Sequence, residues 1–295
     1  MKKIISLVAL LLLFVVSSQA QLLWKISGKG LSQPSYMFGT HHLAKLDILD
    51  SIKGIRPAFE SVKQVIGEID MKEMSSPSTM QKMQQKMMID NDTTLTMLLS
   101  KEDYEKVDKC IQEYIPGVSL SMMPKVRPAF LTNQLSVVMM MKQLGETKLE
   151  EQMDTYFQQE ALAKGKKVAA FETIDQQIDI LLGAPLRRQA ELLVCLIDNI
   201  KDEAKKALEL SAYYKHQKID AMYKISQERD GTRCDSYPSE EAKLIYDRND
   251  AWVAKIPAMI KENSSMIVVG ALHLPGPKGL IAQLRKAGYT VTPVK

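Results

Sequence analysis

The chain has 295 residues, of which 45% are hydrophobic, and its 39 lysine and arginine residues outnumber 35 aspartate and glutamate residues to give a formal net charge of +4. The charge is near balance, and no basic stripe is interleaved with aromatic residues, so the sequence argues against nucleic acid as a partner. The apolar content is ample for the core of one large domain or two small ones.

The first twenty residues have the pattern of a secretory signal peptide. Lys2 and Lys3 form its basic region, residues 4–16 its apolar region, and residues 18–20 a small-x-small cleavage site. The apolar run is short for a transmembrane helix, and no long apolar segment follows it. We therefore expect an exported protein, secreted or periplasmic, with no transmembrane segment after cleavage and a mature chain of residues 21–295.

Apolar runs and helical patterns alternate along the chain, and together they predict an α/β fold. The predicted strands are 22–27, 35–38, 62–70, 167–171, 266–269 and 289–294. A helix is predicted at 51–61, and residues of about 76–165 and 174–263 are predicted to be mainly helical. We expect a single domain over 21–295, in which N- and C-terminal β-α-β halves form a mostly parallel central sheet and a large helical insertion covers one face.

The three cysteines limit the possible disulfides. Cys110, Cys195 and Cys234 allow at most one intramolecular bridge in an exported protein and leave one thiol over. The sequence leaves their pairing open. They have no metal-type spacing, and no catalytic role is predicted for them.

Two Gly-x-x-His-Leu motifs, at 39–43 and 270–274, each follow a predicted strand, and they contain three of the four histidines in the chain. Open α/β sheets bind ligands at the carboxyl ends of their strands, so this placement predicts a site built on paired histidines. Two carboxylates, Glu68 and Glu172, also lie at or near predicted strand ends.

Two neutral imidazoles and a carboxylate are sufficient to hold a catalytic divalent metal with a water in an open position. We predict that His42, Glu68 and His273 bind the ion. Glu172 is predicted as a general base or fourth ligand, and Arg248 as a polariser or substrate anchor. Structural alternatives stay open: hydrogen-bonded histidines at strand ends, Glu172 stabilising a helix N-terminus, and Arg248 pairing with an acidic neighbour on its own helix.

As an ordered set, these motifs are specific. They are Leu23-Trp24-Lys25-Ile26, 36–43, Glu68, Gly165-Lys166, Phe171-Glu172-Thr173, Gln176, Arg248-Asn249, Trp252, 269–276 and 288–291. With them the chain resembles the TraB/PrgY/GumN family, which includes the Tiki metalloproteases and is related to the erythromycin-esterase/ChaN-like fold.

The resemblance implies a divalent-metal hydrolase centre built from Gly39, His42, Glu68, Gly270 and His273. Mn²⁺, Co²⁺ or Zn²⁺ would fit these ligands, and the implied substrate is a peptide or exported polypeptide. One departure is His41, an extra imidazole in the first motif. We assign His42 to the site because it aligns with His273 when Gly39 is laid on Gly270.

The sequence thus predicts an exported metal-dependent hydrolase, in particular a peptidase. Two alternatives stay open. One is a non-catalytic protein that sequesters a peptide or small ligand, and the other is a metal-independent esterase in which a histidine acts as general base. Chelation distinguishes them, since only the metal-dependent hydrolase loses its activity to a chelator.

Overall fold

The computed structural model describes residues 21–145 and 152–294. The predicted signal peptide, residues 1–20, lies outside the described residues. No helix within the two described ranges combines the length and the apolar character needed to cross a bilayer.

Each predicted strand is confirmed, with its ends shifted by up to three residues. The strands are β1 (Leu23–Ser27), β2 (Ser35–Thr40), β3 (Gln64–Gly67), β4 (Lys167–Ala170), β5 (Ser265–Gly270) and β6 (Thr290–Pro293). They form one sheet in the order β4-β3-β5-β2-β1-β6. β4, β3, β5 and β2 pair in parallel, whereas β1 pairs antiparallel with both β2 and β6. The sheet is therefore mostly parallel, as predicted.

The strand order differs from two separate β-α-β halves. β5 lies between β2 and β3, so a strand from the end of the chain is inserted between two strands from its beginning. The last strand, β6, crosses to the far edge beside β1 instead of pairing with β5. This interleaving makes β2, β3 and β5 neighbours, and their carboxyl ends share one edge of the sheet.

The regions predicted to be mainly helical contain most of the helices. Their bounds are α1 (Ile55–Ser61), α2 (Met71–Met74), α3 (Pro77–Met87), α4 (Leu95–Leu98), α5 (Lys101–Tyr114), α6 (Pro128–Leu144), α7 (Met153–Ala163), α8 (Ile174–Leu182), α9 (Leu186–Asp198), α10 (Ile200–Lys215), α11 (Ile219–Ser226), α12 (Pro238–Glu241), α13 (Asp247–Glu262) and α14 (Leu280–Lys286). Short 3₁₀ turns cover Leu46–Ser51, Leu120–Met122 and Ala271–His273.

The region predicted to be mainly helical over 174–263 is interrupted in two ways. Between α10 and α11, Gln217 adopts a left-handed conformation with φ of 57°. A π-helical turn at Ala242–Tyr246 leads into α13. Such π-turns are rare and occur frequently at functional sites.

Apolar packing forms two main cores. The larger core covers the sheet and includes Phe38, Phe157, Phe171 and Trp252. A second core joins α4, α5, α6 and α9 away from the sheet. The side chains that carry chemistry lie above the carboxyl edge of the sheet, where α7 and α13 pack.

The cysteine pairing that the sequence left open is settled by the fold. Cys195 on α9 forms a disulfide with Cys234 in the segment between α11 and α12. All three cysteines lie in the described ranges, and Cys110 is buried as a free thiol.

Candidate functional site

Strand pairing brings the two Gly-x-x-His motifs together. In the parallel pair of β2 and β5, Gly39 is opposite Val269 and Thr40 is opposite Gly270. The two histidine loops therefore leave the sheet side by side, although more than 200 residues separate them in sequence. β3 pairs with the other side of β5 and ends just before Glu68.

Close packing between the two motif loops explains why position 39 is a glycine. A Cβ at Gly39 would lie 2.9 Å from Cα of Ala271 and 3.0 Å from a methyl group of Leu274, so a side chain would push the two motif loops apart. The carbonyl of Gly39 also accepts a hydrogen bond of 2.9 Å from the buried Tyr214 hydroxyl. The second glycine is less constrained, because its Cβ would meet its nearest atom, Oε1 of Glu68, at 3.4 Å.

Arg248 contacts three of the other four side chains that the sequence singled out, namely Glu68, Glu172 and His273. Its Nε and Nη2 donate to the two Glu172 oxygens at 2.8 and 2.9 Å, and Nη2 also donates to Oε2 of Glu68 at 2.6 Å. Its Nη1 lies 3.1 Å from Nε2 of His273 and 3.1 Å from the carbonyl of Leu244 in the π-turn. The guanidinium is buried, with 8% of its side chain exposed. It therefore pairs with remote carboxylates and not with an acidic neighbour on its own helix.

His273 is buried and its tautomer is fixed. The side-chain amide of Asn249 donates to the carbonyls of His273 and Lys278, so its oxygen is the acceptor that faces Nδ1 of His273 at 2.7 Å. Nδ1 therefore carries the proton, and Nε2 accepts from Arg248. Burial lowers the pKa of His273 to about 4, so the ring is neutral at neutral pH.

Glu68 is held as a carboxylate. Burial by itself raises its pKa, but His273, Arg248 and the N–H of Gly270, which donates to Oε1 at 2.8 Å, together lower the pKa below its ordinary value. The amide of Gln177 donates to its other oxygen at 3.2 Å. Oε1 lies 3.8 Å from Nε2 of His273.

Glu172 has both oxygens engaged. In addition to Arg248, the indole N–H of Trp252 donates to Oε1 at 2.9 Å. Thr173, and not Glu172, caps α8 in a reciprocal capping box with Gln176. The geometry thus favours a role for Glu172 in positioning Arg248, and its role as general base or fourth ligand stays a prediction.

His42 lies apart from this network, at the mouth of the site. Its side chain is 67% exposed, and its Nδ1 is 3.9 Å from Oδ2 of Asp154. Its neighbour His41 turns away and packs against Tyr214 at a ring distance of 5.1 Å. Burial, as the largest cause, lowers the pKa of His41 to about 4.

Asp154 was missed by the sequence analysis. It lies on α7 and is buried, its Oδ1 accepts from the Thr40 hydroxyl at 3.3 Å, and its Oδ2 has no hydrogen-bond partner among the described residues. Burial raises the pKa of Asp154 to about 6. The sequence contained a signal for it, because Asp154 lies in the region predicted to be mainly helical and shares a buried helix face with Phe157 and Ala161, where a carboxylate is unusual.

The donor atoms form two pairs, His42 with Asp154 and His273 with Glu68. Within the described residues, no three His, Cys, Asp or Glu side chains converge closely enough to hold an ion. Imidazole nitrogens and carboxylate oxygens are nevertheless the donors that Mn²⁺, Co²⁺ and Zn²⁺ accept, and Asp154 presents a buried oxygen without a partner. These donor atoms are therefore of the kinds that bind a divalent ion. For one ion to contact both pairs, the two pairs must move closer together.

Two cavities flank the site. His42 opens into one of about 600 Å³, whose lining includes His41, His216, Met141 and Leu144. The other, of about 710 Å³, lies on the side of the π-turn and reaches Leu272, next to His273. Either cavity has room for part of a peptide chain.

Comparisons with known proteins found relatives and a family model that match most of this chain. Metalloprotease TIKI2 of Danio rerio is 23% identical over 91% of this chain and 60% of its own length, and metalloprotease TIKI2 of Xenopus tropicalis is 24% identical over 88% and 57%. The chain thus spans less than two thirds of these relatives. No solved structure was found to match it. A model of the TraB/PrgY/gumN family matches residues 22–293, and the chain therefore belongs to that family.

Proposed function

We propose that this protein is a metal-dependent hydrolase that cleaves peptide bonds in exported polypeptides. The observation that carries the proposal is the parallel pairing of β2 with β5, which brings both Gly-x-x-His motifs to one edge of the sheet beside Glu68. The substrate class follows from the relatives named metalloproteases, which are longer than this chain.

In this proposal His42, Glu68 and His273 hold the ion. When bound, the ion supplies a water that ionises near neutral pH and acts as the nucleophile. Metal ligands must be deprotonated, and the neutral His273 and ionised Glu68 meet this requirement before any ion arrives.

Arg248 and Glu172 complete the proposed centre. Arg248 keeps Glu68 in place and contributes the positive charge that can stabilise an oxyanion on the substrate. Glu172 fixes the guanidinium through two hydrogen bonds. The expected cavity for substrate is the one that His42 enters.

A second candidate is a metal-independent hydrolase. It is favoured by one observation. Nε2 of His273, the atom that would bind an ion, already accepts a hydrogen bond from Nη1 of Arg248. In that case the exposed His42, with Asp154 behind its ring, is placed to act as general base from the wall of the cavity.

The deciding experiment measures metal content and peptide cleavage on the same preparations. The mature protein is assayed on a peptide library with chelator and after adding back Mn²⁺, Co²⁺ or Zn²⁺, together with His42→Ala, His273→Ala and the control His216→Ala. His216 lines the same cavity but lies outside both motifs. We expect chelation and both motif variants, but not the control, to abolish cleavage and lower metal content.

Other results assign the alternatives. Equal metal content in wild type and both motif variants contradicts the metal centre. Cleavage that survives chelation but not His42→Ala identifies the metal-independent hydrolase, and peptide binding without product identifies a sequestering protein.

A further inference from the structure

We propose that Asp154 is an additional ligand of the divalent ion, so that the centre is built from two imidazole–carboxylate pairs. This inference rests on the proposed metal-dependent function. It assigns a role to a side chain that lies in neither motif and contributes from α7, a helix in the insertion.

One oxygen of the Asp154 carboxylate lacks a partner among the described residues. Asp154 is 8% exposed, and its Oδ2 has no hydrogen-bond partner in the part of the chain that the structure describes. A buried polar atom without a partner destabilises a fold, and a buried carboxylate does so more strongly. Such exceptions are concentrated at functional sites, where a ligand supplies the missing partner.

The helix that carries Asp154, α7, is rigidly attached to the sheet. The amide of Gln158, one turn after Asp154, donates to the carbonyl of Ile69 and accepts from the N–H of Met71, both at 2.9 Å. Phe157 packs edge-on against Phe38 of β2. These contacts fix the helix to the ends of β2 and β3, so Asp154 is held at the carboxyl edge of the sheet before any ion binds.

The ionisable groups described around Asp154 leave it without a cationic partner. The buried ionisable groups of the site include one guanidinium, Arg248, and three carboxyl groups, Glu68, Asp154 and Glu172. Arg248 pairs with the two glutamates and leaves Asp154 without a cationic hydrogen-bond partner. A divalent cation beside Oδ2 would supply Asp154 with the cationic partner that Arg248 does not provide.

The distances within the two imidazole–carboxylate pairs suit two ligands of one ion. Nδ1 of His42 is 3.9 Å from Oδ2 of Asp154, and Nε2 of His273 is 3.8 Å from Oε1 of Glu68. Both separations are too long for hydrogen bonds. They are close to the roughly 3–4 Å expected between two atoms that each lie about 2.1 Å from the same ion. Since His42 is largely exposed, its side chain is free to adjust as the pairs approach each other.

The test compares Asp154→Asn with Asp47→Asn. Asparagine keeps the shape of the side chain and removes its charge, while Asp47 is an exposed carboxylate that lines the same cavity as His42. Mn²⁺ binding is measured by calorimetry and by electron paramagnetic resonance on the mature protein. We expect Asp154→Asn to weaken binding by at least about tenfold, and Asp47→Asn to leave it unchanged.

Thermal unfolding without metal separates a ligand from a structural anchor. Removing a buried unpaired charge should leave the melting temperature of the metal-free Asp154→Asn protein unchanged or higher, while the increase produced by saturating Mn²⁺ becomes smaller. A lower melting temperature without metal, together with unchanged Mn²⁺ affinity, assigns Asp154 a structural role and overturns the inference. Equal Mn²⁺ affinity in wild type and Asp154→Asn overturns it while the proposed function stands, whereas a wild-type protein that binds no divalent ion overturns both.

Discussion

Replacing Arg248 with methionine tests whether the site depends on one buried guanidinium. The change removes the donors that serve both oxygens of Glu172 and one of Glu68, and it leaves two carboxylates buried without their cation. Removing one partner of a buried ion pair costs about 3–5 kcal/mol. We expect a loss of that size in the free energy of unfolding, which is a large part of the total for a typical domain.

The measurement is urea unfolding followed by circular dichroism, with Arg188→Met as the matched control. Arg188 is also buried, and it pairs with Glu240 and Glu191 at a distance from the motifs. Both variants should be destabilised, but only Arg248→Met should also weaken Mn²⁺ binding.

The double variant Arg248→Met/Glu172→Gln completes a thermodynamic cycle. Because the two residues share their hydrogen bonds, its loss of stability should be smaller than the sum of the two single losses. A loss below about 1 kcal/mol for Arg248→Met, in the range of an exposed ion pair, would refute the reasoning.

Three further changes test pH dependence, the disulfide and the motif glycines. The pKa of His273 is about 4 in the folded protein, below its unfolded value, so the unfolded chain binds the extra proton and stability should fall by about 3 kcal/mol between pH 6.5 and 4. Urea unfolding across this pH range should show a flatter profile for His273→Gln, and an identical profile would contradict the assignment. Reduction of the Cys195–Cys234 disulfide, which spans 39 residues in sequence, should lower the free energy of unfolding by about 2–4 kcal/mol, measured with and without reductant. Gly39→Ala should lower the melting temperature and the metal affinity more than Gly270→Ala does. Of these two glycines, only Gly39 would bring an added Cβ within 3.0 Å of another backbone atom. Equal effects of the two substitutions would show that loop packing does not align the motifs.

Local patterns were sufficient to predict the elements of this fold. Short apolar runs bounded by glycine or polar residues indicated each of the six strands of the described sheet. A strand is buried because its own side chains are apolar, and that property can be read directly from the sequence. The two Gly-x-x-His motifs, Glu68 and Glu172 were identified for the same reason, since each lies next to a strand end that is visible in the sequence. The structure brings His273, Glu68, Glu172 and Arg248 into direct contact.

Local patterns therefore determine the class of the fold, the strands and the residues that carry chemistry at their ends. The folded chain was needed to show that β5 enters between β2 and β3, that Cys195 pairs with Cys234, and that Asp154 reaches the site from a helix in the insertion. Burial and helix or strand propensity depend on neighbours along the chain, whereas strand order and side-chain partners depend on contacts between segments more than 200 residues apart. A single sequence contains no local signal for such contacts, so the distinction between the buried His273 and the exposed His42 became visible only when the chain was folded.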